Sequence, residues 1–191
     1  MDRGRRAYVM IMRKDIASEP AIRSTPVRPA DHIVDVRPLN PEDRELVERI
    51  LTESWGSTSV AAHGVLRDAA RLPGFVALVG GDPAGLVTFH AAGDVWEVVT
   101  IDATTAGRGV GTALLRAIEA AARAAGARRL WLITTNDNTD ALRFYQRRGF
   151  DLVALHRDTV TRSRAELKPS IPLVDDGIPI RHELELELIL R

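Results

Sequence analysis

The sequence predicts an α/β fold, a mixed sheet in one domain, and three observations carry the prediction. Short runs of β-branched and aromatic residues follow one another at hairpin spacing from Phe75 to Ile101. Beyond that point strands alternate with helices of clear 3.6-residue period. The chain has 191 residues, 45% of them hydrophobic and 27% charged, which is the size and composition of one globular domain.

Residues 1–31 lack sustained periodicity, carry an arginine excess and include Pro20, Pro26 and Pro29. A flexible N-terminal extension is expected there, with the folded domain over residues 32–191. Ile33 to Leu39 alternates as a strand ended by proline. Asn40 then caps a helix with Pro41 at its first position and Glu42-Asp43 in its first turn, where the helix dipole favours acids. Leu46, Val47, Ile50 and Leu51 form its apolar face. Segment 54–66 is ambiguous, and a short helix is expected around Val65–Leu72. Phe75–Val79 and Ala84–His90 read as a hairpin through Gly80-Gly81-Asp82-Pro83, followed by a third strand, Val95–Ile101.

A glycine-rich turn leads into an alanine-rich helix, about Val110–Ala125, closed by Gly126. Arg129–Thr134 is apolar enough for a strand covered on both faces. Asn138 or Thr139 opens a further helix that stops at Gly149, and Phe150–Leu155 returns as a strand. At the end, Ile180, His182, Leu184, Leu186, Leu188 and Leu190 alternate with Glu183, Glu185 and Glu187. That is the pattern of a strand half exposed to water.

Lys+Arg and Asp+Glu balance at 26 each, so no net field steers the protein, and neither a nucleic-acid nor a membrane partner is expected. No apolar run approaches the roughly 20 residues of a membrane span. Ala7–Met12 follows a basic start, as a signal peptide would, but it is too short and runs into Arg13-Lys14. A cytoplasmic location is therefore expected. Absent cysteine excludes disulfides, a thiolate nucleophile and thiolate-bound zinc or iron–sulfur centres, and no metal is expected.

Chemistry concentrates in the turn Gly107-Arg108-Gly109-Val110-Gly111-Thr112. Its glycines let main chain approach a bulky anion, and the following helix adds orphan N–H groups and its dipole, so a phosphate is the natural guest. A tight strand–helix connection is the alternative. The turn lacks the Gly-Lys-Ser/Thr ending of a P-loop. Its Gly-x-Gly-x-Gly spacing in mid-chain also departs from the dinucleotide fingerprint.

Ala106-Gly107-Arg108-Gly109-Val110-Gly111 and the later run from Asn138 to Phe150 (NTDALRFYQRRGF) together resemble the GNAT superfamily of N-acetyltransferases. Its signatures are Arg/Gln-x-x-Gly-x-Gly/Ala and Asn-x-x-Ala-x-x-Phe-Tyr-x-x-x-Gly-Phe. Ala106 departs from the first, standing where the signature has arginine or glutamine. The resemblance covers residues 33–155. It implies a mostly antiparallel sheet with one splayed parallel pair, helices on both faces, acetyl-CoA as co-substrate and an amine as acceptor.

Position by position, it implies that main-chain groups of Val99 and Ile101 pair with the pantetheine arm. Amides of Arg108, Gly109, Val110, Gly111 and Thr112 hold the pyrophosphate, and Asn138 hydrogen-bonds the arm. Ala141 and Phe144 line the groove, and Tyr145 protonates the departing thiolate. Helical spacing independently places Ala141, Phe144, Tyr145 and Arg148 on one face, where a core aromatic pair is the other reading of Phe144-Tyr145.

The attacking amine must lose a proton. Glu97 lies two residues before Val99, so strict alternation puts both on one face, and similar enzymes often carry a glutamate there. An ordinary outward charge is the alternative; His63 and His90 are rival bases. The resemblance implies transfer to a primary amine, small-molecule or peptidyl, and the missing thiol argues for direct transfer in a ternary complex over a thiol-linked acyl-enzyme. A non-catalytic acyl-CoA sensor is the competing function. Segments 54–66 and 168–179 are expected to shape the acceptor pocket, where Asp175-Asp176 could attract a cationic amine. Pairing through the final strand is one route to a homodimer.

Overall fold

The computed structural model describes residues 34–104 and 108–191. The extension expected over residues 1–31 lies outside the described residues, as do Ala106 and Gly107 of the glycine turn. In chain order the elements are β1 (Val34–Pro38), α1 (Arg44–Trp55), β2 (Ser59–Ala62), β3 (Val65–Asp68), β4 (Gly74–Val79), β5 (Asp82–Ala92), β6 (Val95–Ala103) and α2 (Val110–Ala124). They continue with β7 (Arg129–Thr135), α3 (Thr139–Gln146), β8 (Asp151–His156), α4 (Thr159–Glu166), β9 (Val174–Asp175), β10 (Ile178–Pro179) and β11 (Glu183–Ile189). No helix among the described residues is long and apolar enough to cross a membrane.

Seven strands form one sheet in the order β1-β4-β5-β6-β7-β11-β8, antiparallel throughout except for the parallel β6–β7 pair. Local chemistry explains its corners. The Asn40 side chain accepts the Glu42 N–H while the Asp43 carboxylate accepts the Asn40 N–H, a reciprocal cap at the head of the first helical segment. Arg37 grips Asp43 with two bonds of 2.7 Å and holds that carboxyl below its usual range. The β4–β5 hairpin is tighter than the four-residue turn expected. Val79 faces Asp82 across Gly80-Gly81, both with positive φ, which a right-twisted hairpin requires.

Helices cover both faces. Val110, Leu114, Leu115, Ile118 and Ala122 make the buried stripe of α2 on the face that includes Gly85 and Ile101. On the other face α1 buries Trp55, whose indole N–H bonds Asp102. Gly85 is what lets α2 come down onto the sheet. A Cβ there would lie 2.3 Å from the Asp102 carbonyl oxygen and 2.8 Å from Val110 Cγ1. Gly85→Ala is therefore expected to cost about 2 kcal/mol by overpacking, read as a lowered denaturant midpoint with unchanged m-value.

Three expectations are corrected. Val65–Leu72 is not a helix: β2 and β3 form a hairpin turning at His63-Gly64, and only Ala69–Arg71 closes into a 3-10 turn. The final strand is not half exposed, because β11 inserts between β7 and β8 and is hydrogen-bonded on both edges. Its glutamate face is covered, with Glu183 1% exposed. A homodimer through β11 is accordingly blocked; the free edge at this end belongs to β8, where Leu152, Val153 and Leu155 are exposed. Helix α4 and the small β9–β10 pair had no counterpart in the sequence reading.

Candidate active site

The site begins with a defect in the sheet. Thr100 pairs with Thr88 and Val98 with Phe89, so Val99 is an extra residue bulging out of β6. The parallel β6–β7 ladder runs only from Val95–Arg129 to Val98–Leu132, although β6 continues to Ala103 and β7 to Thr135. Past the bulge the two strands part, and among the described residues β6 from Val99 to Ala103 has no strand on its β7 side. Val99 and Ile101 thus present main-chain groups along one wall of a wedge. Thr134, near the end of β7, has a buried hydroxyl without a hydrogen-bond partner among the described residues.

Helix α2 starts at the end of the same strand. Its N-cap is Gly109 at φ 77, with no side-chain cap, and Val110 and Gly111 are buried in the first turn. A Cβ on Gly109 would meet nothing within 4 Å but would be strained by that φ. Thr112 in the same turn receives two bonds from the Arg148 guanidinium, at 3.2 and 2.5 Å. Arg148 also lies over the Phe144 ring, 3.6 Å from its centre, which brings a cation and α3 to the head of α2. Uncapped N–H groups, the helix dipole and this cation together suit a diphosphate.

On α3, Asn138 caps the helix by accepting the Ala141 N–H at 3.1 Å. Ala141, Phe144 and Tyr145 are buried, and Tyr145 sits edge-on between Phe144 and Phe150. Burial first, then the nearby Asp102 charge, raises the Tyr145 phenol well above its ordinary value, against Arg148. The hydroxyl therefore keeps its proton across the neutral range.

The bulge overturns the alternation argument for Glu97. Glu97 pairs with His90, and Thr100 with Thr88, so Glu97 shares a face with Thr100 and Asp102, whereas Ile101 looks the other way with Val98. Glu97 is 5% exposed, and Arg67 Nη2 lies 3.3 Å from its carboxylate. Burial raises its pKa and outweighs Arg67, His90 and His63, which all lower it. His63 edges onto Trp131, the neighbour of Glu97 on β7, so the β2–β3 hairpin roofs this face.

Segments 54–66 and 168–179 touch through Lys168. Lys168, 7% exposed, donates from Nζ to the Ser59 carbonyl at 2.6 Å, and burial lowers its pKa to about 8. Asp175-Asp176 instead stand exposed at the tight turn between β9 and β10. The sequence reading missed the groups that set the electrostatics: Arg67, Asp102, Trp55 and Lys168. Only Asp102 carried a signal, as a lone acid inside the apolar run Val98–Ala103.

A family model described as "Acetyltransferase (GNAT) family" matches residues 40–150, which span α1 to α3 and the whole wedge. The chain belongs to the GNAT acetyltransferase family. Two Bacillus subtilis (strain 168) proteins are similar to this GNAT acetyltransferase along most of both chains. YdhI is 36% identical over 148 residues, 74% of this chain and 92% of its own. YxbD is 37% identical over 145 residues, 75% and 91% respectively. Among solved structures, a Bacillus subtilis acetyltransferase in complex with CoA superposes with a TM-score of 0.67 at 20% identity. That match covers 83% of the present chain and 100% of the other and establishes the shared fold.

Proposed function

We propose that this enzyme moves the acetyl group of acetyl-CoA directly onto a primary amine held beside it in a ternary complex. The observation that carries the proposal is the wedge: β6 loses its β7 neighbour at the Val99 bulge and ends at the uncapped head of α2. An extended ligand arm can complete the β6 edge at Val99 and Ile101 as an added strand would. N–H groups of Arg108, Gly109, Val110, Gly111 and Thr112 then reach the pyrophosphate, while Asn138, Ala141 and Phe144 bound the wedge on the α3 side.

Glu97 takes the proton from the amine, and its burial suits it to that task, because a raised carboxyl pKa makes a stronger base near neutrality. The amine nitrogen bonds the thioester carbon, the C–S bond breaks, and Tyr145 gives its phenolic proton to the departing sulfur; Glu97 then releases the amine proton to solvent, from which the phenolate regains one. No cysteine exists to hold the acetyl group in between. Alignment of amine and thioester contributes roughly 7–11 kcal/mol, more than any single proton transfer.

The test is CoA release from acetyl-CoA across a panel of amines. Tyr145→Phe preserves the ring packing and is expected to lower kcat by about 10²-fold or more, within the usual range for one acid or base, with little change in KM for acetyl-CoA. Glu97→Gln should abolish the rising limb of kcat/KM against pH. Full kcat in Tyr145→Phe would remove the phenol from the mechanism.

A further inference from the structure

We propose that His63, His156 and Glu185 form a binding site for one divalent transition-metal cation, with Zn²⁺ the ion that best fits the donor set. One ligand atom from each of the three residues lies within 4.8 Å of the other two. The imidazole rings are 4.4 Å apart and nearly perpendicular, at 84°. His156 Nε2 is 2.8 Å from one Glu185 carboxylate oxygen. Two imidazoles and a carboxylate are a common zinc set that leaves a fourth position open, and zinc draws such atoms to about 2.0–2.2 Å.

The fold brings the three together from distant segments. His63 lies in the β2–β3 turn, His156 ends β8, and Glu185 lies in the neighbouring β11, one diagonal step from His156. The three have no motif spacing in the sequence, where the absence of cysteine pointed to no metal.

Four surrounding features favour a cation. His63 has φ 55 and Gly64 φ 73, a turn that favours asparagine, aspartate or glycine over histidine. Glu183 supports it from behind, accepting the His63 N–H on both carboxylate oxygens at 3.2 Å and lying 3.7 Å from Nδ1. An outer carboxylate of this kind orients a ligating imidazole. Charge also fits: Arg129 bonds Glu185 through the oxygen opposite His156 and also bonds Glu187, whereas the charged neighbours of Glu183 are His63 and His156 themselves. A cavity of about 210 Å³ opens beside His63 and His156, bounded by Thr159, Arg162, Ser163 and Glu166, with room for a water as fourth ligand. Ser163 Oγ in its wall is buried without a hydrogen-bond partner among the described residues. Arg162 is the opposing charge in that wall, and its Nη2 lies 3.3 Å from Thr159 Oγ1.

A cation here would clamp the hairpin tip to the sheet on the face that carries Glu97.

The full chain, stripped with EDTA, is titrated with ZnCl₂ by calorimetry. About one equivalent is expected to bind, and His63→Ala and His156→Ala should each weaken binding at least about tenfold. His182→Ala, outside the cluster, should bind like the parent. Melting of the EDTA-treated variants checks their fold, and Co²⁺ added to the parent should give the visible d–d bands of a four-coordinate N/O site. Absence of saturable Zn²⁺ binding, equal affinity in both histidine variants, or an equal loss in His182→Ala would overturn the proposal.

Discussion

Gly111→Asp is expected to weaken acetyl-CoA binding at least about 100-fold while leaving the protein folded. Gly111 is the second residue of α2, buried in a first turn whose N–H groups have no side-chain cap. Those groups are the proposed seat of the pyrophosphate. Each charge-assisted bond there contributes roughly 1.5–3 kcal/mol, so loss of even two exceeds the 2.7 kcal/mol that corresponds to 100-fold. An aspartate adds a negative charge where the ligand's own charge must sit. The helix itself tolerates an acid in its first turn, because its dipole favours one. Binding and folding are thereby separated: calorimetry reads the first and far-UV circular dichroism the second. Unaltered acetyl-CoA affinity would mean that the diphosphate lies elsewhere.

Asp102→Asn is expected to stabilise the protein at pH 8 and to flatten its stability across the mildly acidic range. Asp102 is 1% exposed, and Trp55 Nε1 donates to both its oxygens at 3.0 Å. Burial raises its pKa from 3.8 to about 7, against the hydrogen bonds from Trp55 and Ser54. The folded state therefore holds a proton that the unfolded state releases between about pH 4 and pH 7. Stability is greatest below that window, falls as pH rises through it, and is level above pH 7. A shift of this size corresponds to about 4 kcal/mol as an upper figure. Asparagine keeps an acceptor for Trp55 and never ionises, so the variant should melt several degrees higher at pH 8. Thermal melts at pH 4, 6 and 8 decide it: an unchanged pH slope would place the cost of burial in another group.

Much of the wedge was legible because it is written in consecutive residues. The glycines of the α2 head, and the spacing of Asn138, Ala141, Phe144 and Tyr145 along one turn after another, need only helix geometry to be read. The β4–β5 hairpin and the cap at Asn40 are likewise local. What failed were readings that required knowing a neighbour. Strict alternation put Glu97 and Val99 on one face; the bulge, an extra residue visible only against β5, moved Glu97 to the face of Thr100 and Asp102. The alternating glutamates of β11 read as a wet face, yet insertion between two strands and a roof over Glu183 put them among Arg129, His63 and His156.

The sequence by itself determined the family, the order of strands and helices from Phe75 to its second motif, and the diphosphate cradle as a candidate. Those features depend on periodicity and on glycines whose conformational freedom is intrinsic. Only the tertiary structure decided which groups are buried together: Asp102 with Trp55, Glu97 with Arg67, and His63 with His156 and Glu185. Desolvation and Coulomb energies depend on distance through space, and residues far apart in the chain carry no record of that distance in their order.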